Sequence, residues 1–95
     1  MTKNKSGMDK AVVLLKLLSH PIRLKISCDL ILGEKCVADL YQASLISQSA
    51  FSQHLTLLKK NQIVSSRKQG LNVFYTLKAS AAKSVIKVLH QHFCQ

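Results

Sequence analysis

The spacing of apolar residues changes period twice along this chain, and that change restricts the fold more than any single residue does. Up to about residue 60, apolar side chains recur three and four apart, the period of helices packed through one face. Two short runs then follow, Ile63-Val64-Ser65-Ser66-Arg67 and Asn72-Val73-Phe74-Tyr75-Thr76, rich in the β-branched and aromatic residues that favour strands. Between them lies Lys68-Gln69-Gly70-Leu71, where Gly70 tolerates the positive φ of a hairpin turn. From Ala79 to about Phe93 the helical period returns, with Ala82, Val85, Ile86, Leu89 and Phe93 on one stripe. The expected fold class is mainly α with a small β-hairpin.

Local signals divide the helical part. Asp9 can sit at or near the start of a first helix, where a carboxylate meets unpaired backbone N–H groups. Ala11, Val12, Leu14, Leu15 and Leu18 make its apolar face so wide that two sides should be buried, one in its own core and one against a partner subunit. Pro21 suits the first turn of a second helix, since the N–H it lacks would have no helical acceptor there. Ile22, Ile26 and Leu30 form one stripe of that helix, Leu24, Cys28 and Ile31 a second, and Gly33 is a stop. Residues 36–43 read as a short third helix and 44–46 as a turn. Ser47 is a good N-cap for a fourth helix over 48–60, with Phe51, Leu55 and Leu58 facing inward. Two short helices joined by a tight turn and followed by a basic-tipped hairpin make a winged helix-turn-helix, here with five helices and a two-stranded wing. Residues 1–7 read as a flexible basic arm and 8–95 as one DNA-binding and dimerisation domain.

Charge narrows the function. The chain has 95 residues, enough for one hydrophobic core, and carries 14 Lys and Arg against 4 Asp and Glu, a net charge of +10. Such an excess repels itself unless it serves a polyanionic partner, nucleic acid first and an acidic membrane surface second. No apolar run approaches the roughly 20 residues of a membrane span, and no small-residue cleavage site follows the basic N-terminus, so a cytoplasmic location is expected. The 3 cysteines are an odd number, which disfavours a disulfide framework and leaves buried thiols, a metal site or a redox switch. Nothing pairs a nucleophile with a base and an orienting acid, so no enzyme is expected; no cofactor or metal ligand is assigned, although His90 and Cys94, four apart on one face, could contribute to a metal site.

The fourth helix carries the specific chemistry. Gln48, Ser49, Ser52, Gln53 and Thr56 fall on one face, opposite Phe51, Leu55 and Leu58. A solvated face normally carries more Lys and Glu; these five are uncharged and offer both donors and acceptors. Gln can bond bidentately to adenine, and Ser or Thr can meet several base edges. Lys59 and Lys60 follow where phosphates would lie, and Arg67 and Lys68 on the hairpin could track the backbone or enter the minor groove. His54, on the flank, is expected to pack or touch a phosphate.

The "LSHPIRLKI" run, "SQSAFSQHLTLLKKNQIV" and the hairpin ending "GLNVFYTL" resemble the ArsR/SmtB family of bacterial repressors, from about Lys10 to Gln95. The resemblance implies a homodimer joined by the first and last helices, binding to an inverted-repeat operator in double-stranded DNA, and inducer-driven release. The arsenic and cadmium sensors of that family look like "ELCVCDL" at the third helix; here Cys36 matches the first thiolate and Ala38 replaces the second. Zinc sensors use carboxylate and His ligands on the last helix, whereas this chain has His90 and His92 there and no acid. "RLKISC" and "VLHQHFC" resemble the BigR/SqrR/HlyU branch of redox and reactive-sulfur sensors, in which the matching pair, here Cys28 and Cys94, is the sensor. Lys25 could favour a Cys28 thiolate, and a protonated His90 could offset the helix C-terminus near Cys94. A metal-responsive repressor and an inducer-independent antirepressor remain same-fold alternatives; a protein adaptor or membrane-surface protein is the alternative of another class.

Overall fold

The computed structural model describes residues 6–93. Cys94, and all of the expected N-terminal arm except Ser6 and Gly7, lie outside the described residues. Five helices and three strands follow in the order α1 (Gly7–Leu18), α2 (Pro21–Leu30), β1 (Lys35–Cys36), α3 (Val37–Gln42), α4 (Gln48–Lys60), β2 (Val64–Gln69), β3 (Asn72–Leu77) and α5 (Ser80–Phe93).

The helix starts follow their capping chemistry. Ser6 caps α1: its hydroxyl accepts from the Asp9 N–H at 3.1 Å while the Asp9 carboxylate accepts from the Ser6 N–H at 3.4 Å, a reciprocal capping box. Pro21 opens α2, as its missing N–H allows, and His20 before it caps the helix through Nδ1. Ser47 caps α4 as expected, its Oγ accepting from the Ala50 N–H at 3.2 Å. At the far end of α4, the Gln62 and Ile63 N–H groups donate to the Lys59 and Leu58 carbonyls, with Gln62 at φ 64. This left-handed cap turns the chain sharply from the helix into the hairpin.

Helices α1, α2, α4 and α5 pack around one core built from Leu17, Leu18, Ile26, Leu30, Leu40, Phe51, Leu55, Leu58, Ile63, Val64, Leu77, Ala82 and Ile86. The wing hairpin runs from Val64 opposite Leu77, both buried, to Gln69 opposite Asn72 at the exposed tip. Gly70 and Leu71 make the two-residue turn, and Gly70 has the positive φ, 63°, that the sequence anticipates. A third strand was not anticipated. Lys35 and Cys36 pair antiparallel with Tyr75 and Phe74, giving the order β1-β3-β2. Cys36 therefore lies in a strand and at the cap of α3, rather than inside the helix. Two residues are too few to show a strand period.

Leu45, in the turn between α3 and α4, has φ 61 and is 95% exposed. The left-handed region costs a non-glycine residue about 1–2 kcal/mol, and this side chain buries nothing in return. Glycine removes that cost but loses about 0.5–1 kcal/mol more chain entropy on folding. Leu45→Gly is therefore expected to stabilise the domain by about 0.5–1 kcal/mol, raising the melting temperature a few degrees. Thermal unfolding at one fixed protein concentration checks this; an equal or lower melting temperature would show that the turn is unstrained.

Candidate nucleic-acid interface

The geometry of α4 follows from its buried stripe. Phe51 is 2% exposed, Leu55 4% and Leu58 0%. With that side held in the core, the opposite side faces solvent, and Gln48, Ser49, Ser52, Gln53 and Thr56 are all exposed. Lys59 and Lys60 continue exposed in the last turn, where cations also complement the helix dipole. Lys68 is exposed near the wing tip. The sequence-predicted residues thus share two exposed elements, α4 and the wing, with no acidic residue on either.

Arg67 is exposed but engaged. Its Nε and Nη2 donate to the two carboxylate oxygens of Glu34 at 2.8 and 2.7 Å, and Nη1 donates to Gln69 at 2.7 Å. The guanidinium carbon also lies 4.8 Å from the centre of the Phe74 ring, its cross-strand neighbour. The hydrogen bonds from Arg67 hold the Glu34 carboxyl below its ordinary range, and the same contacts raise the arginine further. Sequence reading placed Arg67 toward phosphate and missed Glu34, 33 residues earlier in the chain. The one available signal was scarcity, since a carboxylate in so basic a chain has many candidate partners.

His54 packs, as expected. It is half-buried on the side of α4 that meets α2, its ring centre 4.2 Å from that of His20, with an Arg23 nitrogen 3.3 Å from Nδ1. Burial first, then the charges of His20 and Arg23, push its pKa below the ordinary 6.5.

The cysteines fall in different settings. Cys28 is half-buried in α2 and lines a groove of about 490 Å³ with Pro21, Leu24, Lys25, Leu32 and His90. Lys25 pairs with Asp29 at 3.3 Å, so its charge is shared with that carboxylate beside the thiol. The Cys36 thiol donates to an Asp39 oxygen at 3.4 Å. Among the described residues, no three His, Cys, Asp or Glu side chains gather as a metal site, and no helix is long and apolar enough to cross a membrane.

The outer faces of the first and last helices remain apolar. Met8, Val12 and Leu15 of α1 are 73, 42 and 56% exposed, and Val88 and Phe93 of α5 are 53 and 80% exposed. Val85, Val88 and Leu89 line a shallow apolar hollow on α5. Val88 was absent from the stripe expected from the sequence.

Known proteins share this architecture. Residues 20–66 match the family model of bacterial regulatory proteins of the arsR family. The transcriptional activator HlyU of Vibrio cholerae is 43% identical over 95 residues, covering 100% of this chain and 85% of the relative. The biofilm growth-associated repressor of Xylella fastidiosa is 40% identical over 81 residues, 85% of this chain and 71% of the relative. The solved structure of reduced HlyU from Vibrio cholerae superposes with a TM-score of 0.87 at 44% identity, over 90% of each chain.

The ion pair partway along the wing yields a test. Glu34→Gln removes the carboxylate that holds Arg67 and leaves the guanidinium available to a phosphate. The salt dependence of DNA binding is expected to steepen by about one unit of log–log slope. An unchanged slope, measured by fluorescence anisotropy across a salt series, would mean that Arg67 stays turned toward the wing.

Proposed function

This chain belongs to the arsR family of bacterial regulatory proteins, DNA-binding transcription regulators with a winged helix-turn-helix, and from that premise we propose that it acts as a homodimer on an inverted-repeat operator under thiol control. Its relatives are regulators of transcription, not enzymes. The observation that carries the proposal is the exposed, uncharged face of α4, set between the basic end of that helix and the wing.

In this reading α4 enters the major groove. Gln48, Ser49, Ser52, Gln53 and Thr56 meet base edges, while Lys59, Lys60, Lys68 and a released Arg67 meet phosphates. The apolar outer faces of α1 and α5 support a dimer joined through those two helices. A single chain leaves Met8, Val12, Leu15, Val88 and Phe93 in water, and a symmetric copy would cover them. Residues 8–95 then act as one DNA-binding and dimerisation unit, which Gly7 in the first turn of α1 and its cap Ser6 extend into the expected arm, and work in the cytoplasm.

The switch in this proposal is the pair Cys28 and Cys94. His90, four residues before Cys94, lines the same groove as Cys28, which puts the end of α5 beside α2. The Vibrio cholerae structure is that of reduced HlyU, in keeping with thiol chemistry in that relative. With peroxide, the two thiols lose two protons and two electrons to form a disulfide, and the peroxide leaves as two waters. With a hydrogen disulfide as oxidant, the same electrons leave as two molecules of hydrogen sulfide. The bridge would tie α5 to α2 and shift the two reading helices from the spacing of about 34–36 Å that successive half-sites need. One relative is described as an activator and another as a repressor, so the proposal concerns release from DNA and not the sign of regulation.

Two measurements test this. Gln53→Ala should weaken binding to the preferred operator by about 1–3 kcal/mol and relax selectivity at one or two base pairs. Equal losses on operator and on random DNA would remove Gln53 from base reading. Cys28→Ser and Cys94→Ser should each retain operator binding but lose oxidant-driven release, which in the parent chain should be about 5- to 150-fold. Cys36→Ser should release like the parent. Equal operator affinity of the reduced and cross-linked parent would end the thiol-switch reading.

A further inference from the structure

Three helices meet at Arg23. From the first turn of α2 its guanidinium reaches back to the end of α1, where Nε donates to the Leu17 carbonyl at 2.6 Å and Nη2 to the Lys16 carbonyl at 3.4 Å. Carbonyls in a last turn lack the helical N–H partner of the interior, so Arg23 satisfies the Leu17 carbonyl and adds to the Lys16 carbonyl, which also accepts from Ser19. The remaining nitrogen, Nη1, lies 3.3 Å from Nδ1 of His54 on α4. A guanidinium has only donors, so His54 Nδ1 is the acceptor in this contact and its proton sits on Nε2. The same logic fixes His20. Its Nδ1 accepts the Ile22 N–H at 3.1 Å as the cap of α2, which leaves the proton on Nε2. Both imidazoles hold these contacts only in the neutral form, and their ring centres are 4.2 Å apart at a 38° tilt.

His54 immediately follows Gln53. Its ring is half-buried against α2 while Ser52, Gln53 and Thr56 face outward. A change in where His54 rests therefore moves the face proposed to read DNA. We infer that His20, Arg23 and His54 form a proton-sensitive brace for α4, which holds the reading helix against the corner of α1 and α2 while the His54 ring is neutral and loosens on acidification, lowering DNA affinity.

Protonation at His54 Nδ1 turns the acceptor into a donor aimed at an arginine N–H. The groups facing His54 are His20, at the cap of α2, and Arg23, in its first turn, and neither is an acid. Among the described residues no carboxylate is placed to compensate. The chain has 4 acids; Asp9 closes the α1 cap, Asp29 pairs with Lys25, Glu34 with Arg67, and Asp39 accepts from Cys36.

The lowered pKa of His54 gives the direction. A group whose pKa is lower folded than unfolded contributes stability that is complete above its ordinary value, here 6.5, and is lost as pH falls through the folded value. General electrostatics act the other way, since added positive charge strengthens contact with DNA. The sign of the pH dependence therefore separates the brace from general electrostatics.

The inference rests on the DNA-reading role of α4. Its test uses the full chain, a duplex selected by the parent protein from a random pool at pH 8, and His54→Asn, whose amide oxygen can accept from Arg23 and takes no proton. Between pH 8 and 5.5 the parent should lose about tenfold or more in affinity, and His54→Asn should lose little or gain. Nitrogen-detected imidazole NMR on DNA-free protein should show His54 protonated on Nε2 alone and titrating below 6.5. A parent affinity that stays flat or rises on acidification, the same loss in His54→Asn, or an ordinary His54 titration would each overturn the brace. If the parent selects no sequence at pH 8, the DNA-reading role itself fails, and the titration, read without DNA, tells that failure from one of the brace.

Discussion

Phe51, Leu55 and Leu58 occupy one stripe of α4 and are almost fully buried, against Leu30, Leu40 and the other core residues around them. Burying side chains of this size is worth roughly 1.5–3 kcal/mol each. Their sum is comparable with the whole net stability of a small domain, about 5–15 kcal/mol. This buried stripe therefore sets which side of helix α4 faces the core. The polar residues at the remaining positions point outward as a consequence, and so does the proposed reading face. A small protein with one core thus orients a recognition surface without dedicating any further structure to it.

The second constraint is electrostatic. Two ion pairs form among the described residues, Lys25 with Asp29 and Arg67 with Glu34. With a net charge of +10, most of the cations are left facing solvent. An isolated domain gains little from that arrangement, because like charges repel and exposed pairs contribute little. Its physical sense lies with a polyanion, whose counterions would be released as the cations meet phosphates. The bidentate Arg67–Glu34 pair has a different character from the rest. It joins the wing to the segment after α2, and with the two-residue strand β1 it ties the hairpin to the body of the domain. The wing is thus held partway along its length, at Arg67, Phe74 and Tyr75, while its tip, Gly70 and Leu71, is exposed.

Helices α1 and α5 complete the picture from the other side. Each gives one stripe to the core, Leu17 and Leu18 from α1 and Ala82 and Ile86 from α5, and keeps an apolar stripe in water. Exposed apolar side chains scattered singly need no explanation, but aligned rows on two helices do. The same α5 flanks the groove that contains Cys28 and His90. The proposed dimer face and the proposed switch are thus mechanically adjacent, because both depend on where α5 lies against α2.

Much of this architecture was legible in the sequence. Period alone located the five helices and the hairpin, Ser47 and Pro21 marked starts, and Gly70 marked the turn, because caps, turns and amphipathic stripes are local properties of the chain. The exposed face of α4 was legible too, as the complement of Phe51, Leu55 and Leu58. The neighbours that sequence reading missed are separated by long stretches of chain: Glu34 and Arg67 by 33 residues, Arg23 and His54 by 31, and the pairing of Cys36 with Phe74. No periodicity encodes such contacts. Only the packing of α2 against α4, and of β1 against β3, decided that an arginine expected at DNA would first meet a glutamate, and that a histidine on the reading helix would rest on a second histidine and an arginine.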